Sequence, residues 1–246
     1  MPVFFIQSSQ ITDNTVTIDH PLRFHLAKSL RVRKGEHIWV GDEQRIRYRL
    51  RIDRLDAQAI QASILETVHA PPPPPASVVL AQAVLKGDRM NWVIQKATEL
   101  GVATIVPLLT ARVIVHPPAH RVRTIQARWQ RIATDAAEQS EQWVAPCVTE
   151  PMSLPALFEY VRDATLRCAL IARGATHNLR GLPLNHTFHG IIVLAVGPEG
   201  GWTTEEGLAF PERQFYAVSL GDAILRSETA PLAALTILQH RLGNLG

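Results

Sequence analysis

Cysteine is nearly missing from this chain: Cys147 and Cys168 are the two in 246 residues. Two thiols without C-x-x-C spacing exclude a disulfide scaffold, so reduced, partly buried thiols are expected. No base is paired with either one in the sequence, which leaves a cysteine nucleophile without support. His186 and His189, with His177 nearby, lack companion acid or thiol ligands, so no metal is expected. Long apolar runs are missing too. No stretch approaches the roughly 20 residues that span a bilayer. Met1 to Gln7 has neither the basic start nor the apolar length of a secretion signal, and a cytoplasmic protein without a membrane partner is expected. Neither G-x-x-x-x-G-K-[ST] nor G-x-G-x-x-G occurs, so the chain lacks the glycine patterns that grip phosphates.

What is present begins with apolar content of 46%, ample for sizeable cores, in a length that suits one or two domains. Pro71 to Pro75 form an unbroken run that cannot continue a helix or a central strand and favours a stiff polyproline II spacer. The expected organisation is a domain over 1–70, a linker over 71–75 and a larger domain over 76–246.

In the larger domain, apolar strand-length runs alternate with helical patterns, which argues a parallel α/β sheet. Strands are expected at Val78 to Leu85, Thr104 to Leu109 and Leu166 to Ala172. Met90, Val93, Ile94, Ala97 and Leu100 recur at helical spacing before Gly101 stops the helix. A longer helix is expected over Val122 to Ser140, carrying Arg123, Arg128 and Arg131.

Two glycine-punctuated loops near the C-terminus each follow an apolar strand. Ile191 to Val196 reads as a strand buried on both faces, and it stops at Gly197-Pro198-Glu199-Gly200-Gly201. Those glycines let another molecule approach the backbone, and Thr203 to Glu206 has the spacing of a helix capping box. The second loop follows a strand over Tyr216 to Leu220. It runs from Gly221 through Ile224, Leu225, Arg226 and Glu228 to a final helix through Leu242, which Ser227 or Thr229 is expected to cap. Paired loops at the carboxyl ends of parallel strands mark where open α/β sheets bind ligands.

Charge is concentrated near the N-terminus. Residues 23–54 hold ten Lys or Arg against four acids, although the whole chain carries a formal charge of only +3. Arg45, Arg47, Arg49 and Arg51 alternate with Ile46, Tyr48, Leu50 and Ile52, which puts the arginines on one side of a strand and the apolar residues on the other. A guarded sheet edge usually mixes signs, whereas four arginines suit the forked recognition of phosphate. Short strands and turns at Lys34-Gly35 and Gly41-Asp42 make this domain a small β-barrel.

Taken together, GPEGG followed by Leu220-Gly221-Asp222-Ala223-Ile224-Leu225-Arg226-Ser227-Glu228-Thr229-Ala230 resembles the 16S ribosomal RNA uridine-N3 methyltransferases, the RsmE type of the trefoil-knotted SPOUT class. Gln82 to Lys86, Gln95 to Val102, Trp129 to Ala133, Glu138 to Ser140 and Leu26 to Gly35 extend the resemblance over nearly the whole chain. It implies a parallel-sheet SPOUT domain with a C-terminal trefoil knot, preceded by a PUA-like RNA-binding barrel. Nothing in composition or periodicity reveals a knot, and true knots are rare in proteins.

The resemblance further implies S-adenosyl-L-methionine as cofactor. Its site would be formed by Ile171, Val196, Gly197, Gly200, Gly201, Leu220, Gly221, Ile224 and Leu225, where backbone groups read adenine and apolar side chains cover its faces. It implies 16S ribosomal RNA or the small subunit as partner, with Arg23, Arg31, Arg33, Arg45, Arg47, Arg49 and Arg51 as RNA contacts. A homodimer whose final helix packs against a second subunit is implied as well. Glu228 is the favoured general base or orienter, with Glu199 as the alternative acid, and Arg226 would hold the uracil carbonyls or a phosphate. The chain departs from the family pattern at Val3, Gln142 and Ala223, where arginine is common. Those losses keep two rivals in view: an RNA-binding or ribosome-assembly protein without catalysis, and an α/β enzyme using another nucleotide.

Overall fold

The computed structural model describes residues 2–246. The chain divides into two compact units, one of Met1–Pro73 with Ala137–Ala145, the other of Pro74–Ala136 with Pro146–Gly246. The return of 137–145 to the first unit has no counterpart in the linear sequence pattern. No helix among the described residues is long and apolar enough to cross a membrane.

The first unit is a six-stranded sheet in the order β1-β4-β5-β6-β3-β2, built from β1 (Val3–Phe5), β2 (Ile11–Thr12), β3 (Thr15–Ile18), β4 (His37–Gly41), β5 (Ile46–Leu55) and β6 (Ile60–His69). Only β1 and β4 pair in parallel; the other pairs are antiparallel. A short helix α1 (Leu22–Phe24) runs on into a π-type turn over His25–Ser29. Residues of alternating strands meet in one core, including Val16, Ile18, Val40, Leu50, Ile52 and Ile60. The period of two puts them there because successive side chains point to opposite faces. Bulges between Arg49 and Leu50 and between Ile52 and Arg54 interrupt the β5–β6 ladder, and such insertions bend and twist long strands. Asp42 fixes the β4–β5 turn: its carboxylate accepts the Gln44 and Ile46 amides at 3.0 and 2.9 Å and the Tyr48 hydroxyl at 3.0 Å.

The second unit carries a sheet in the order β10-β8-β7-β13-β11-β14-β12, with β9 also pairing β8, and every pair is parallel. Its strands are β7 (Ala76–Ala83), β8 (Thr104–Leu109), β9 (Cys147–Val148), β10 (Met152–Ser153), β11 (Leu166–Leu170), β12 (His177–Asn178), β13 (Gly190–Val196) and β14 (Tyr216–Ser219). Central β13 is buried from Ile192 onward, as a strand covered on both faces must be. Pro107 donates no ladder bond, and it lies between the Thr104–Ile105 segment paired with β9 and the Leu108–Leu109 segment paired with β10. The β7, β11 and β14 strands end two residues or so before the apolar runs do, because the last residues leave the ladder to enter the loops.

The helices are α2 (Arg89–Glu99), α3 (Val122–Gln139), α4 (Leu154–Tyr160), α5 (Thr204–Glu212) and α6 (Thr229–Arg241). Met90, Val93, Ile94 and Ala97 of α2 are all buried. Gly101, at φ +76°, closes that helix with Gly101 N to Thr98 O at 2.8 Å and Val102 N to Ala97 O at 3.1 Å, the paired bonds of a Schellman end. From α6, the buried Gln239 side chain donates to Leu100 O and Gly101 O at 2.7 and 3.0 Å. The capping box expected at α5 is present, with Glu206 N to Thr203 Oγ1 at 3.2 Å and Thr203 N to Glu206 Oε2 at 2.9 Å. The expected cap on α6 is absent. Its N-cap is Glu228, in helical rather than extended geometry (φ −87°, ψ −26°), and no side chain caps it. The Thr229 and Ala230 amides instead donate to Arg226 O at 2.9 and 2.8 Å, so the loop backbone does the work expected of Ser227 or Thr229.

Candidate functional site

In the second unit, the segments leaving β11, β13 and β14 at their carboxyl ends line a cavity of about 1020 Å³. All nine residues expected to hold an adenine nucleoside (Ile171, Val196, Gly197, Gly200, Gly201, Leu220, Gly221, Ile224 and Leu225) lie on its wall, together with Arg226 and Glu228. The order β13-β11-β14 explains this, since three adjacent parallel strands discharge their loops at the same sheet edge.

Each glycine has a physical reason to be glycine. A Cβ on Gly197 would meet Trp202 at 3.1 Å, and one on Gly200 would meet the Arg112 side chain at 3.2 Å. Gly221 sits at φ +124°, a conformation that side chains oppose. Trp202 closes one wall: its indole N–H donates to Leu170 O at 2.9 Å and its ring meets Phe210 edge-on at 4.8 Å between centroids. Arg112 closes another by donating to Gly200 O at 2.8 Å. Glu206 adds a further tie, its second carboxylate oxygen accepting the Ala111 amide at 2.8 Å.

Four arginines line the cavity. Arg112 is engaged by Gly200, and Arg89 by two carboxylates, with Nη1 at 3.2 Å from Glu199 Oε1 and Nε at 3.9 Å from Glu228 Oε1. Arg173 and Arg226 have no ion-pair partner among the described residues, and both are exposed. The wall therefore offers bare backbone and apolar side chains for a flat nucleoside, plus two guanidiniums available to an anion. No cluster of three or more His, Cys, Asp or Glu side chains that could hold a metal ion occurs among the described residues.

Sequence reasoning missed Arg89, Arg112, Arg173 and Trp202. Arg89 and Arg112 follow the carboxyl ends of β7 and β8, so the same strand-end rule that located the glycine loops contained a signal for them.

In the first unit the arginine row is less free than alternation implies. Ile52, Leu50 and Tyr48 are buried as expected. Arg45, however, precedes the strand at φ +63° and donates to Pro71 O at 3.0 Å. Arg47 is half-buried, its guanidinium 3.8 Å from the Trp143 ring centroid and donating to Glu141 O. Burial pushes that guanidinium below its ordinary value, against the pull of Glu141. Arg49 pairs with Glu66 at 3.2 Å and Arg51 with Asp53 at 3.0 Å. Cross-strand and same-strand acids thus occupy the row, which the spacing of arginines alone does not disclose. Arg23 is likewise committed to Asp56 O. Arg31 and Arg33 are exposed and carry no side-chain ion pair among the described residues. Of the three departures from the family pattern, Val3 is buried in β1, Gln142 N donates to Ala137 O at 2.9 Å in the first unit, and Ala223 lies on the cavity wall of the second.

Comparison with known proteins agrees with this architecture. Residues 72–239 match the RNA methyltransferase domain family. A protein of Synechocystis named ribosomal RNA small subunit methyltransferase E is 37% identical over 232 residues, covering 94% of this chain and 74% of that protein. A crystal structure of the Neisseria gonorrhoeae ribosomal RNA small subunit methyltransferase E bound to S-adenosyl methionine is 34% identical, with a TM-score of 0.84 over 98% of this chain and 97% of that one. A Legionella pneumophila methyltransferase in complex with the same cofactor is 28% identical, with a TM-score of 0.85 over 98% of each chain. This chain belongs to the ribosomal RNA small subunit methyltransferase E family.

Proposed function

We propose that this protein is an S-adenosylmethionine-dependent RNA methyltransferase that methylates N3 of a uridine in 16S ribosomal RNA. The observation that carries the reading is the cavity beyond β11, β13 and β14, whose glycine backbone and apolar side chains form a bed for a flat nucleoside beside Arg226 and Glu228. When bound, the cofactor supplies a sulfonium methyl that transfers to N3 as its bond to sulfur breaks and the electron pair stays on sulfur. The chain's own task is alignment and proton removal. Gly197, Gly200, Gly201, Leu220, Gly221, Ile224 and Leu225, with Val196 and Ile171, hold the nucleoside by shape and backbone hydrogen bonds. Glu228 takes the N3 proton, and Arg226 stabilises the negative charge that gathers on the uracil carbonyls.

The unpaired guanidiniums of Arg31 and Arg33 in the first unit are the leading RNA contacts, with Arg23, Arg45, Arg47, Arg49 and Arg51 shaping a basic face of what we read as a PUA-like barrel. The second unit we read as a SPOUT domain: β13 enters between β7 and β11 before the chain passes outside β11 to β14, a threading that suits a C-terminal trefoil knot. Apolar side chains left exposed, Ile224 and Leu225 on the cavity loop and Ile237 on α6, support a homodimer, which sedimentation would detect. The deciding experiment is mass spectrometry of small-subunit ribosomal RNA from cells with and without the protein, beside calorimetry with S-adenosylmethionine. Heat on titration and a methylated uridine that disappears with the gene are expected. A protein that binds the donor but leaves every ribosomal nucleotide unchanged is an assembly factor instead.

A further inference from the structure

Glu199 and Glu228 come from loops after different strands, yet one guanidinium touches both. Arg89 opens α2, just after the turn that leaves β7, and reaches partners 110 and 139 residues ahead in sequence. The two contacts differ in kind. Glu199 Oε1 accepts the Lys86 amide at 3.3 Å and Arg89 Nη1 at 3.2 Å, so its carboxylate is fastened to the β7–α2 turn by two hydrogen bonds. Glu228 lies 3.9 Å from Arg89 Nε, outside hydrogen-bond range, and its other contact is Ser227 Oγ at 3.5 Å, the edge of that range. One carboxylate is clamped; the other is drawn toward the cation with its oxygens still able to accept a proton.

The two carboxylate side chains are 23% and 18% exposed, and all three residues line the same cavity. Two carboxylates confined to one wall repel each other unless a cation lies between them. Resting on the methyltransferase reading, we propose that Arg89 is a positioning residue that joins Glu199 and Glu228 into one unit, Glu199 serving as anchor and Glu228 as the acid that meets the nucleotide. The two acids are then successive links of one chain of contacts rather than rival bases. In the transfer the N3 proton passes to Glu228 and on to solvent, while Glu199 stays bonded to Lys86 and Arg89.

The test uses the full-length protein with the substitutions R89A, R89K, E199Q, E228Q and the double changes R89A/E199Q and R89A/E228Q. R89A lowers kcat by about tenfold or more while the KM for donor stays within about twofold, the signature of an interaction that acts on the chemical step. R89K recovers part of the loss, because it restores the charge without the fork that reaches both acids. R89A/E199Q is no slower than R89A, since both changes cut the same link. Two readouts stand apart from turnover: S-adenosylhomocysteine affinity of R89A within about twofold of the parent, and non-additive melting shifts in the R89A, E228Q and R89A/E228Q cycle. Unchanged kcat in R89A, additive losses in R89A/E199Q, equal losses in R89A and R89K, or additive melting shifts would each overturn the proposal. If R89A does not fold, R89K and E199Q carry the same comparison. A parent protein that binds no donor at all sinks the methyltransferase reading instead, and the melting cycle then still reports on the Arg89 linkage.

Discussion

Adding one methyl group at Gly197 should damage both the stability of the second unit and its grip on a nucleoside. In Gly197→Ala the new Cβ would stand 3.1 Å from Trp202 Cε2, 3.3 Å from Nε1 and 3.4 Å from Cδ2. Carbon atoms rest at about 3.5–4.0 Å, so the indole must retreat by several tenths of an ångström. It has little freedom to do so. Its N–H is bonded to Leu170 O at 2.9 Å, and its ring meets Phe210, which is fully buried and packs on Phe158 and Phe215 with centroids 5.8 and 5.3 Å away. Overpacking a site of this kind costs about 1–3 kcal/mol. Pulling the indole off Leu170 O adds about 1 kcal/mol. For a chain of this size that amounts to a fall in Tm of roughly 4–16 °C. Leu170, Gly197 and Trp202 all line the cavity, so the displacement also reaches the donor site. A loss of roughly tenfold in S-adenosylmethionine affinity corresponds to 1.4 kcal/mol of that disturbance. Scanning calorimetry gives the first quantity and isothermal titration the second. A variant that melts within a degree of the parent and binds the donor equally well would refute the argument, because it would show that the Trp202 wall yields freely.

Other outcomes follow from contacts elsewhere. Gln239→Leu removes the donor to Leu100 O and Gly101 O at the end of α2 and should lower stability in denaturant titration by about 1–3 kcal/mol without changing the slope of the transition. Thiol titration at pH 8 should count one reactive cysteine in the folded protein and two after denaturation: Cys147 is exposed, whereas burial seals Cys168 from solvent and pushes its thiol up to about 12. Tyr48 is also held neutral, first by burial and then by its bond to Asp42, which push its hydroxyl up to about 12. A raised value means that the folded state keeps a proton the unfolded chain releases near pH 10. The contribution is therefore complete below about pH 10 and lost as pH climbs toward about 12. Phenolate absorbance should show one of the three tyrosines titrating last and together with unfolding of the first unit, a behaviour that Tyr48→Phe abolishes.

What could be read from the sequence was whatever local periodicity or local chemistry enforces. The run Ile191 to Val196 announced a strand covered on both faces, and it is buried from Ile192 onward, whereas Ile191 at its start stays exposed. Thr203 and Glu206 announced the start of α5 because the two groups satisfy each other's orphan amides at a fixed spacing of three. The glycine loops were legible for a related reason, since removing side chains is how a sequence makes backbone available. Alternation over Arg45 to Ile52 likewise reported correctly which side chains enter the core, yet it could not report what stands opposite the others. Glu66 reaches Arg49 only through the β5–β6 register, and Trp143 reaches Arg47 from a stretch almost a hundred residues away. The cap on α6 was missed for the same kind of reason. A serine or threonine caps by approaching from extended backbone, and the turn at Arg226 delivers the chain already helical at Glu228. The cavity's polar wall shows the limit most sharply. Its hydrogen bonds from Arg89 and Arg112 to the GPEGG loop span 110 and 88 residues, so they exist only once β7 has paired with β13 and β8 with β7. The bare surface a nucleoside needs can be spelled out by neighbours in sequence. Arg226 and Glu228 stand two residues apart in one loop, but Arg89 and Glu199, which join Glu228 on that wall, come from the ends of β7 and β13, and no window along the chain contains all four.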